Sequence, residues 1–217
     1  MNDKQQKVEQ FIEETLAHGA SQQAFDKIAR YLLCSCVLIV GEKQYRLTEI
    51  EFYCHEINKT SVWRDGDKGP HGEPEIIYAL RYRKTPAKKF QAEMGHFYRH
   101  VSGLDFTFGH PEVRWGGILL RGIAQLFNEQ TEIEGPWKVR EEIVRALKEQ
   151  GKEIGKEIKI LDENIYLVPS SDRKHPLFQG PRVNIWDKRK LLRYTTTLNR
   201  GKSKNNGLLP YPAKDLQ

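Results

Sequence analysis

Three stretches of the chain repeat apolar residues at the three- and four-residue spacing of an amphipathic helix. The first covers residues 8–18, and Ser21 supplies a capping side chain for the second, at residues 22–32. The third covers residues 137–150 and follows Pro136, which is favoured in a first helical turn. The pattern therefore predicts three helices. Their inward positions are Val8, Phe11, Ile12, Leu16, Ala24, Ile28, Ala29, Val139, Ile143, Val144 and Leu147.

Shorter apolar segments, rich in β-branched and aromatic residues, predict strands. Residues 34–40 end at Gly41-Glu42, and we expect them to form a hairpin with residues 45–53. Residues 56–75 are rich in Gly, Pro, Asp and Asn and predict a long loop, with a short helix following at 74–80. The remaining strands are expected at residues 96–101, 104–108, 116–123, 165–168, 181–186 and 191–195.

The strand at residues 45–53 carries two carboxylates, Glu49 and Glu51, one pleat apart. Since alternate side chains of a strand share a face, both acids lie with Tyr53 on one face, and Ile50 and Phe52 lie on the other. Like charges this close repel, so we expect a cationic partner or a shifted protonation equilibrium. Such an environment is how a general base is made. The alternative is the solvated outer face of an edge strand.

Charge is concentrated in two segments of the chain. The net charge is +6, yet residues 81–100 hold six basic residues against one acidic residue, and residues 182–204 hold eight against one. A polyanion is the natural partner of such segments, with nucleic acid first. The alternative is two solvated basic faces. Arg121 ends an apolar run, which predicts an anionic group close to it.

Length and composition predict one domain without a membrane span. The chain has 217 residues and no apolar run of about 18 residues. Its first residues are polar and lead into an amphipathic helix rather than an apolar signal core, so we expect a cytoplasmic protein. Cys34, Cys36 and Cys54 have no metal-ligand spacing and are expected to be reduced and structural.

Six short motifs lie between residues 28 and 194. The strand Thr48-Glu49-Ile50-Glu51-Phe52-Tyr53 resembles Glu-Thr-Glu-Ala-Tyr, and Ile118-Leu119-Leu120-Arg121-Gly122-Ile123 resembles Val-Leu-Leu-Arg-Ala. Residues 95–100 resemble a Gly-x-Leu-Tyr-Val-Tyr strand, and residues 135–139 resemble Gly-Pro-x-Lys-Leu. Residues 28–33 form a helix-to-strand entry, and residues 182–185 with 192–194 resemble Arg-x-Gly-Ile and Leu-Arg-Phe-Tyr. Together they resemble the alkyladenine (3-methyladenine, methylpurine) DNA glycosylases.

This resemblance implies an α+β fold, a single domain with a curved, mainly antiparallel sheet flanked by helices. The domain would cover residues 21–199, after an N-terminal helix at 1–20 and before a basic, flexible tail at 200–217. The implied activity is DNA repair by a monofunctional glycosylase, which flips a damaged purine out of double-stranded DNA and hydrolyses its N-glycosidic bond. It implies no cofactor, no metal and no obligate protein partner, and a cytoplasmic, nucleoid-associated monomer.

The resemblance also implies roles for individual residues. Glu51 matches the general base that activates water, and Arg121 matches the arginine that helps to place that water. Tyr53 matches one wall of the base pocket, and Tyr98 and His100 lie on the strand that supplies the opposite wall or a hydrogen bond to the base. His71 would replace a pocket histidine of the family. The residues expected to contact DNA are Arg99, Leu104 as a wedge, Lys138 near a helix start, Arg182 and Arg193.

Two other classes of protein fit parts of the pattern. A non-catalytic nucleic-acid-binding protein could have kept the scaffold and lost the pocket. A metal-dependent hydrolase could use acidic and histidine side chains. The residues that would serve it are Glu49, Glu51, His71, His96, His100 and Asp105.

Overall fold

A computed structural model describes residues 3–56, 95–109, 114–127, 132–155, 161, 164–171, 175–180, 193–196 and 209–210. Within these ranges it contains three helices and ten strands. The helices are α1 (Asp3–Leu16), α2 (Gln22–Ser35) and α3 (Pro136–Glu149). The strands are β1 (Cys36–Val40), β2 (Lys43–Glu56), β3 (Phe97–His100), β4 (Gly103–Phe108), β5 (Arg114–Gln125), β6 (Glu132–Glu134), β7 (Ile165–Pro169), β8 (Phe178–Gly180), β9 (Arg193–Thr195) and β10 (Leu209–Pro210).

The described strands form one curved antiparallel sheet, and the protein is therefore of the α+β class. Its main path runs β10-β8-β9-β2-β5-β4-β3, while β1 joins β2 to β7 and β6 pairs with β5. The predicted hairpin is confirmed, because Val40 lies opposite Lys43 and leaves a two-residue turn. Gly41 has a φ of 58°, which a glycine adopts readily in such a turn.

The helix predictions are confirmed with shifted ends. The Ser21 side chain accepts a hydrogen bond from the Ala24 backbone N–H at 3.1 Å and so caps α2. This helix continues to Ser35, so that Cys34, which the apolar pattern placed in a strand, is helical. The predicted helix at 74–80, the loop at 56–75 beyond its first residue and the strand at 181–186 lie outside the described residues.

The apolar core lies between α2 and one face of β2. Phe52 of β2 packs against Phe25 of α2 at a ring-centroid distance of 4.8 Å and against Tyr194 of β9 at 5.6 Å. The Tyr194 hydroxyl donates to Asp26 at 2.5 Å, which links β9 to α2. This packing fixes which face of β2 points away from the core and therefore positions the site described below.

Helix α3 covers one end of the opposite face of β2. The hydroxyl of Tyr45 donates to Glu142 of α3 at 2.7 Å. The backbone N–H of Gly135, just before the helix, donates to the carbonyl of Arg121 at 2.7 Å. The second contact places the start of α3 beside Arg121 of β5, which contacts both carboxylates.

The membrane and domain predictions can be compared with the structure in part. None of the described helices is long and apolar enough to cross a membrane. Leu209–Pro210, within the predicted tail, pairs with β8. Cys34, Cys36 and Cys54 are buried and form no disulfide, as predicted.

Candidate active site on the polar face of the central strand

Two carboxylates and two guanidinium groups meet on the face of β2 that points away from the core. Glu49 accepts hydrogen bonds at one oxygen, Oε1, from Nε of Arg121 at 2.7 Å and from Nε of Arg193 at 2.8 Å. A second nitrogen of Arg121 lies 3.1 Å from Oε2 of Glu51. The predicted cationic partner of the acids and the predicted anionic partner of Arg121 are thereby both confirmed.

The backbone brings these four side chains together through strands that are distant in sequence. In the sheet, Glu51 lies opposite Leu119 of β5 on one side and opposite Arg193 of β9 on the other. The pairing of β2 with β5 is irregular at Glu49, which lies opposite Gly122. A local irregularity of this kind changes the direction of nearby side chains, and here Arg121 reaches both carboxylates.

The cluster is deeply buried. Glu51 is fully inaccessible to solvent and Glu49 is 2% exposed, while Arg193 is 4% exposed. Burial lowers the pKa of Arg193, and the neighbouring Arg121 lowers it further, whereas Glu51 has the opposite effect. Two acids and two bases make the cluster neutral as a whole, which limits the cost of removing these charges from water.

Tyr53 also contacts Glu51. Its hydroxyl donates to Oε1 of Glu51 at 2.7 Å, so that the two oxygens of this carboxylate contact a phenol and a guanidinium. Tyr53 is half-buried, with its ring at the edge of the cluster.

Tyr98 and His100 lie on β3, on the same face of the sheet as Glu51. Strands β5 and β4 separate them from β2. Tyr98 lies opposite Asp105, which in turn lies opposite Leu119, the partner of Glu51. Paired residues of an antiparallel sheet project to the same face. The rings of Tyr98 and His100 are nearly parallel, with an interplanar angle of 21° and a centroid distance of 6.4 Å.

The residues predicted to contact DNA lie in several places. Arg193 belongs to the buried cluster, so we assign it to the site rather than to a DNA-binding surface. Leu104 is fully buried, and Arg99 donates to the carbonyl of Gly155. Lys138 is exposed on α3. His71 and Arg182 lie outside the described residues, as does most of each basic segment.

The tip of the hairpin between β3 and β4 presents an exposed apolar side chain instead. Val101 is 84% exposed in the two-residue turn between His100 and Gly103. Arg140 of α3 donates to the carbonyl of His100 at 3.0 Å and also to that of Val101. The turn is therefore fixed to the helix although its side chain points to solvent.

Three site features were missed at the level of sequence: the position of Arg193, the exposure of Val101 and the contact of Asp105 with His100. A signal existed for the last of them. A two-residue turn at Val101-Ser102 sets His100 opposite Gly103, and the same register sets Tyr98 opposite Asp105.

The described part of the chain bears on the metal-dependent hydrolase alternative. Within it, no group of three or more His, Cys, Asp or Glu side chains is placed to hold a metal ion. His71, which the metal-hydrolase alternative included, lies outside that part.

The fold and site define an α+β protein whose antiparallel sheet carries a buried ionic cluster on one face. The chain is similar to an uncharacterized protein of Acanthamoeba polyphaga mimivirus, with 25% identity over 190 residues, and the match covers 77% of this chain and 81% of the viral protein. No protein-family model matches the chain.

Proposed function

We propose that this protein is a monofunctional DNA glycosylase that hydrolyses the N-glycosidic bond of a damaged, alkylated or deaminated purine. The observation that carries the proposal is the environment of Glu51, a fully buried carboxylate in contact with Arg121 and the Tyr53 hydroxyl. Activation of water needs a carboxylate held in a fixed position, and shielding from bulk water strengthens each electrostatic contact. The resemblance of the sequence to alkyladenine glycosylases supports the same roles.

In the proposed reaction Glu51 is the general base. It takes a proton from a water molecule while the water oxygen bonds to C1′ of the flipped nucleotide and the bond to the purine breaks. Arg121 orients that water and offsets negative charge around it. Glu49 holds the guanidinium of Arg121, and Arg193 in turn holds Glu49 through the same oxygen. General-base catalysis of this type contributes about 10²- to 10⁴-fold to a rate.

Aromatic side chains on the same face support binding of a flipped base. Tyr53 stands beside Glu51, and the nearly parallel rings of Tyr98 and His100 lie across the sheet from it. Stacking on such rings stabilises an extruded base whatever its identity, because every base has a π-face.

The hairpin tip supplies a candidate wedge for the space that a flipped nucleotide leaves in the duplex. An apolar side chain inserted between base steps must be exposed and rigidly supported. Val101 is both, because Arg140 holds the backbone on which it stands. We therefore place the wedge at Val101 rather than at the buried Leu104.

An open cleft of about 380 Å³ beside this tip supports contact with phosphates. Its charged lining is mainly basic, and positive charge beside a wedge would bind the backbone on either side of the flipped nucleotide. The charged side chains that line it are Arg99, Arg140, Lys148 and Glu141.

The proposal is tested by single-turnover incubation of the protein with duplexes that carry hypoxanthine, ethenoadenine, 3-methyladenine or uracil. Alkali then cleaves any abasic site, and the products are separated by length. We expect strand cleavage for at least one purine lesion and none for uracil. Absence of cleavage for all the lesions, at protein concentrations that saturate the DNA, would refute the proposal.

A non-catalytic nucleic-acid-binding protein on the same scaffold is the second candidate. The observation that favours it is that both oxygens of Glu51 already have partners within the protein, a phenol and a guanidinium. This candidate predicts equal affinity for lesion-bearing and undamaged duplexes, with no abasic product. The glycosylase predicts tighter binding to the lesion.

A further inference from the structure

Trp137, in the first turn of α3, is an exposed aromatic residue outside the ionic cluster. It is 56% exposed, whereas Val139 and Ile143 of the same helix are fully buried. At 3.6 residues per turn, Trp137 shares an outward stripe of the helix with Val144 and Lys148. Tryptophan is enriched among the residues that dominate the binding energy of interfaces. Its exposure on the outer face of α3 therefore points to a partner on that side.

Two clefts that meet along α3 form one groove beside this side chain. The cleft at the hairpin tip has a volume of about 380 Å³, and a second cleft, which Trp137 lines, has a volume of about 720 Å³. Both are lined by Glu141, Val144 and Lys148, so they are continuous. The described residues that line the groove do not include the ionic cluster. The groove therefore lies apart from the face that we propose for the flipped nucleotide.

The charges along the groove leave two lysines for a partner. Its three acidic side chains each contact an arginine of α3 and are thereby compensated. Lys138 and Lys148 form no ion pair within the described part of the chain. They lie about 15 Å apart along the helix axis, so each can meet a different phosphate. A groove with free positive charge and an exposed aromatic ring is typical of sites that hold unpaired nucleotides.

Arg140 joins Trp137 to the proposed wedge. Its guanidinium lies 6.0 Å from the centre of the indole ring, and it donates to the carbonyl of Val101. Pro136 lies so close to the hairpin that a Cβ atom at Gly103 would be 3.1 Å from the Pro136 Cβ. The indole is thus held beside the wedge by contacts within the protein. A side chain that is already ordered loses less entropy when it binds.

A base lies within reach of this position once a nucleotide has been flipped. Extrusion removes one base of a pair and leaves its partner in the other strand without a hydrogen-bonding partner. The side chain of Val101 is much smaller than a purine, so the wedge alone does not fill the vacated space. An indole beside the wedge offers a broad π-face, on which any base can stack.

We propose that Trp137 stacks on the unpaired base of the undamaged strand, opposite the flipped nucleotide, while Lys138 and Lys148 bind phosphates of that strand. This inference rests on the proposed function, since base flipping is what leaves that base unpaired. The stacking stabilises the flipped complex and not the intact duplex. Trp137 thereby favours extrusion without touching the reacting atoms.

The test uses a duplex that carries a tetrahydrofuran abasic analogue opposite 2-aminopurine, and a duplex of the same sequence in which thymine pairs with the 2-aminopurine. The first duplex already has an unpaired base and no damaged base to release, so binding is measured apart from catalysis. We expect Trp137→Leu to bind it about 5- to 100-fold more weakly than the wild type does, with little change on the paired duplex. Stacking quenches 2-aminopurine, so its emission should be lower in the wild-type complex than in the Trp137→Leu complex.

Three further variants sharpen the test. Trp137→Phe keeps an aromatic ring and should retain part of the affinity and of the quenching. Lys138→Gln should weaken binding to both duplexes by the same factor, as expected of a phosphate contact. Phe127→Leu, at a phenylalanine just beyond β5 that is 84% exposed, is the matched control and should bind as the wild type does.

Other outcomes separate the inference from the function on which it rests. Equal losses of Trp137→Leu on both duplexes would make Trp137 a general DNA contact, and unchanged affinity or unchanged emission would show that no base stacks on it. Each of these results overturns the inference and leaves the glycosylase in place. The expected binding without release of any lesion base would support the stacking site and refute the glycosylase. Thermal unfolding identifies loss of fold, and if Trp137→Leu unfolds, Trp137→Gln replaces it in both measurements.

Discussion

The two faces of β2 are both buried, but one is apolar and the other carries charged side chains. On one face Ile50 and Phe52 are fully buried against α2 and β9. On the other, Glu51 is equally buried, and Glu49 nearly so, among arginine side chains. Burial stabilises the first face through the hydrophobic effect, whereas burial of charge has to be compensated by pairing.

This difference separates what folds the protein from what we expect it to do. An apolar replacement of comparable volume for a buried ion pair often leaves a protein as stable or makes it more stable. The polar face is thus a poor way to gain stability, which favours a chemical role for it. Variants on the two faces should accordingly affect stability and base release to different degrees.

The largest effect on stability is expected on the apolar face. Phe52→Ala should lower the free energy of unfolding by about 3–5 kcal/mol, because Phe25 and Tyr194 lose their shared partner and leave a cavity. Equilibrium unfolding in urea measures the change. Phe127→Ala, at a phenylalanine that is 84% exposed, is the control and should change it by less than about 0.5 kcal/mol. Similar losses at both positions would contradict the described core.

Removal of one partner from the ionic cluster should have the next largest effect. Arg193→Met leaves Glu49 with Arg121 as its remaining arginine partner in the cluster, and we expect a loss near the lower end of about 3–5 kcal/mol. Arg145→Met, at an arginine whose side chain is 55% exposed and paired with Glu142, should cost less than about 1 kcal/mol. An Arg193→Met protein as stable as the wild type would show that the cluster is more hydrated than its burial indicates.

Removal of a matched pair should restore most of that loss. In the double variant Glu49→Met with Arg193→Met, the charges that remain, Glu51 and Arg121, still balance. We expect stability within about 1 kcal/mol of the wild type, and therefore a favourable coupling energy in a double-mutant cycle. Base release should nevertheless fall, because Arg121 loses the carboxylate that holds its Nε. Additive losses of the two single variants would remove the case for a compensated pair.

The smallest effect concerns the thiols. Burial raises the pKa of Cys36 to about 12, with a hydrogen bond to Tyr31 acting in the opposite direction. The thiol therefore stays protonated at pH 8, and a thiol reagent should modify it only after unfolding. Because the folded pKa lies above that of the unfolded chain, the contribution to stability is complete below the unfolded pKa and is lost as the pH rises through about 12. Rapid modification of Cys36 in the folded protein would contradict its burial.

Periodicity along the sequence predicted the helices and the two faces of β2, because both depend on local spacing. It failed where the signal was weak or short. The first turns of α1 are polar and gave no apolar repeat before Val8. Strands β6, β8 and β10 have three, three and two residues, too few for alternation to be visible.

The sequence predicted only those features of the candidate site that lie within a single strand. The shared face of Glu49, Glu51 and Tyr53 follows from alternation, and the apolar run before Arg121 signalled an anionic partner. The contact of Arg193 with Glu49 joins residues 144 positions apart, and it depends on the pairing of β9 with β2. No local pattern specifies such a register. The sequence therefore predicted a DNA contact for Arg193, which the structure places in the buried cluster.

The most direct test of Glu51 as the general base is to measure base release by Glu51→Gln on the lesion duplex that the wild type cleaves best. The change keeps the shape of the side chain and removes its ability to take a proton. We expect single-turnover base release to fall by about 10²- to 10⁴-fold, with duplex binding retained. Glu42→Gln, at an exposed glutamate in the turn between β1 and β2, should match the wild type. Release by Glu51→Gln at the wild-type rate would contradict the claim that this buried carboxylate is the general base.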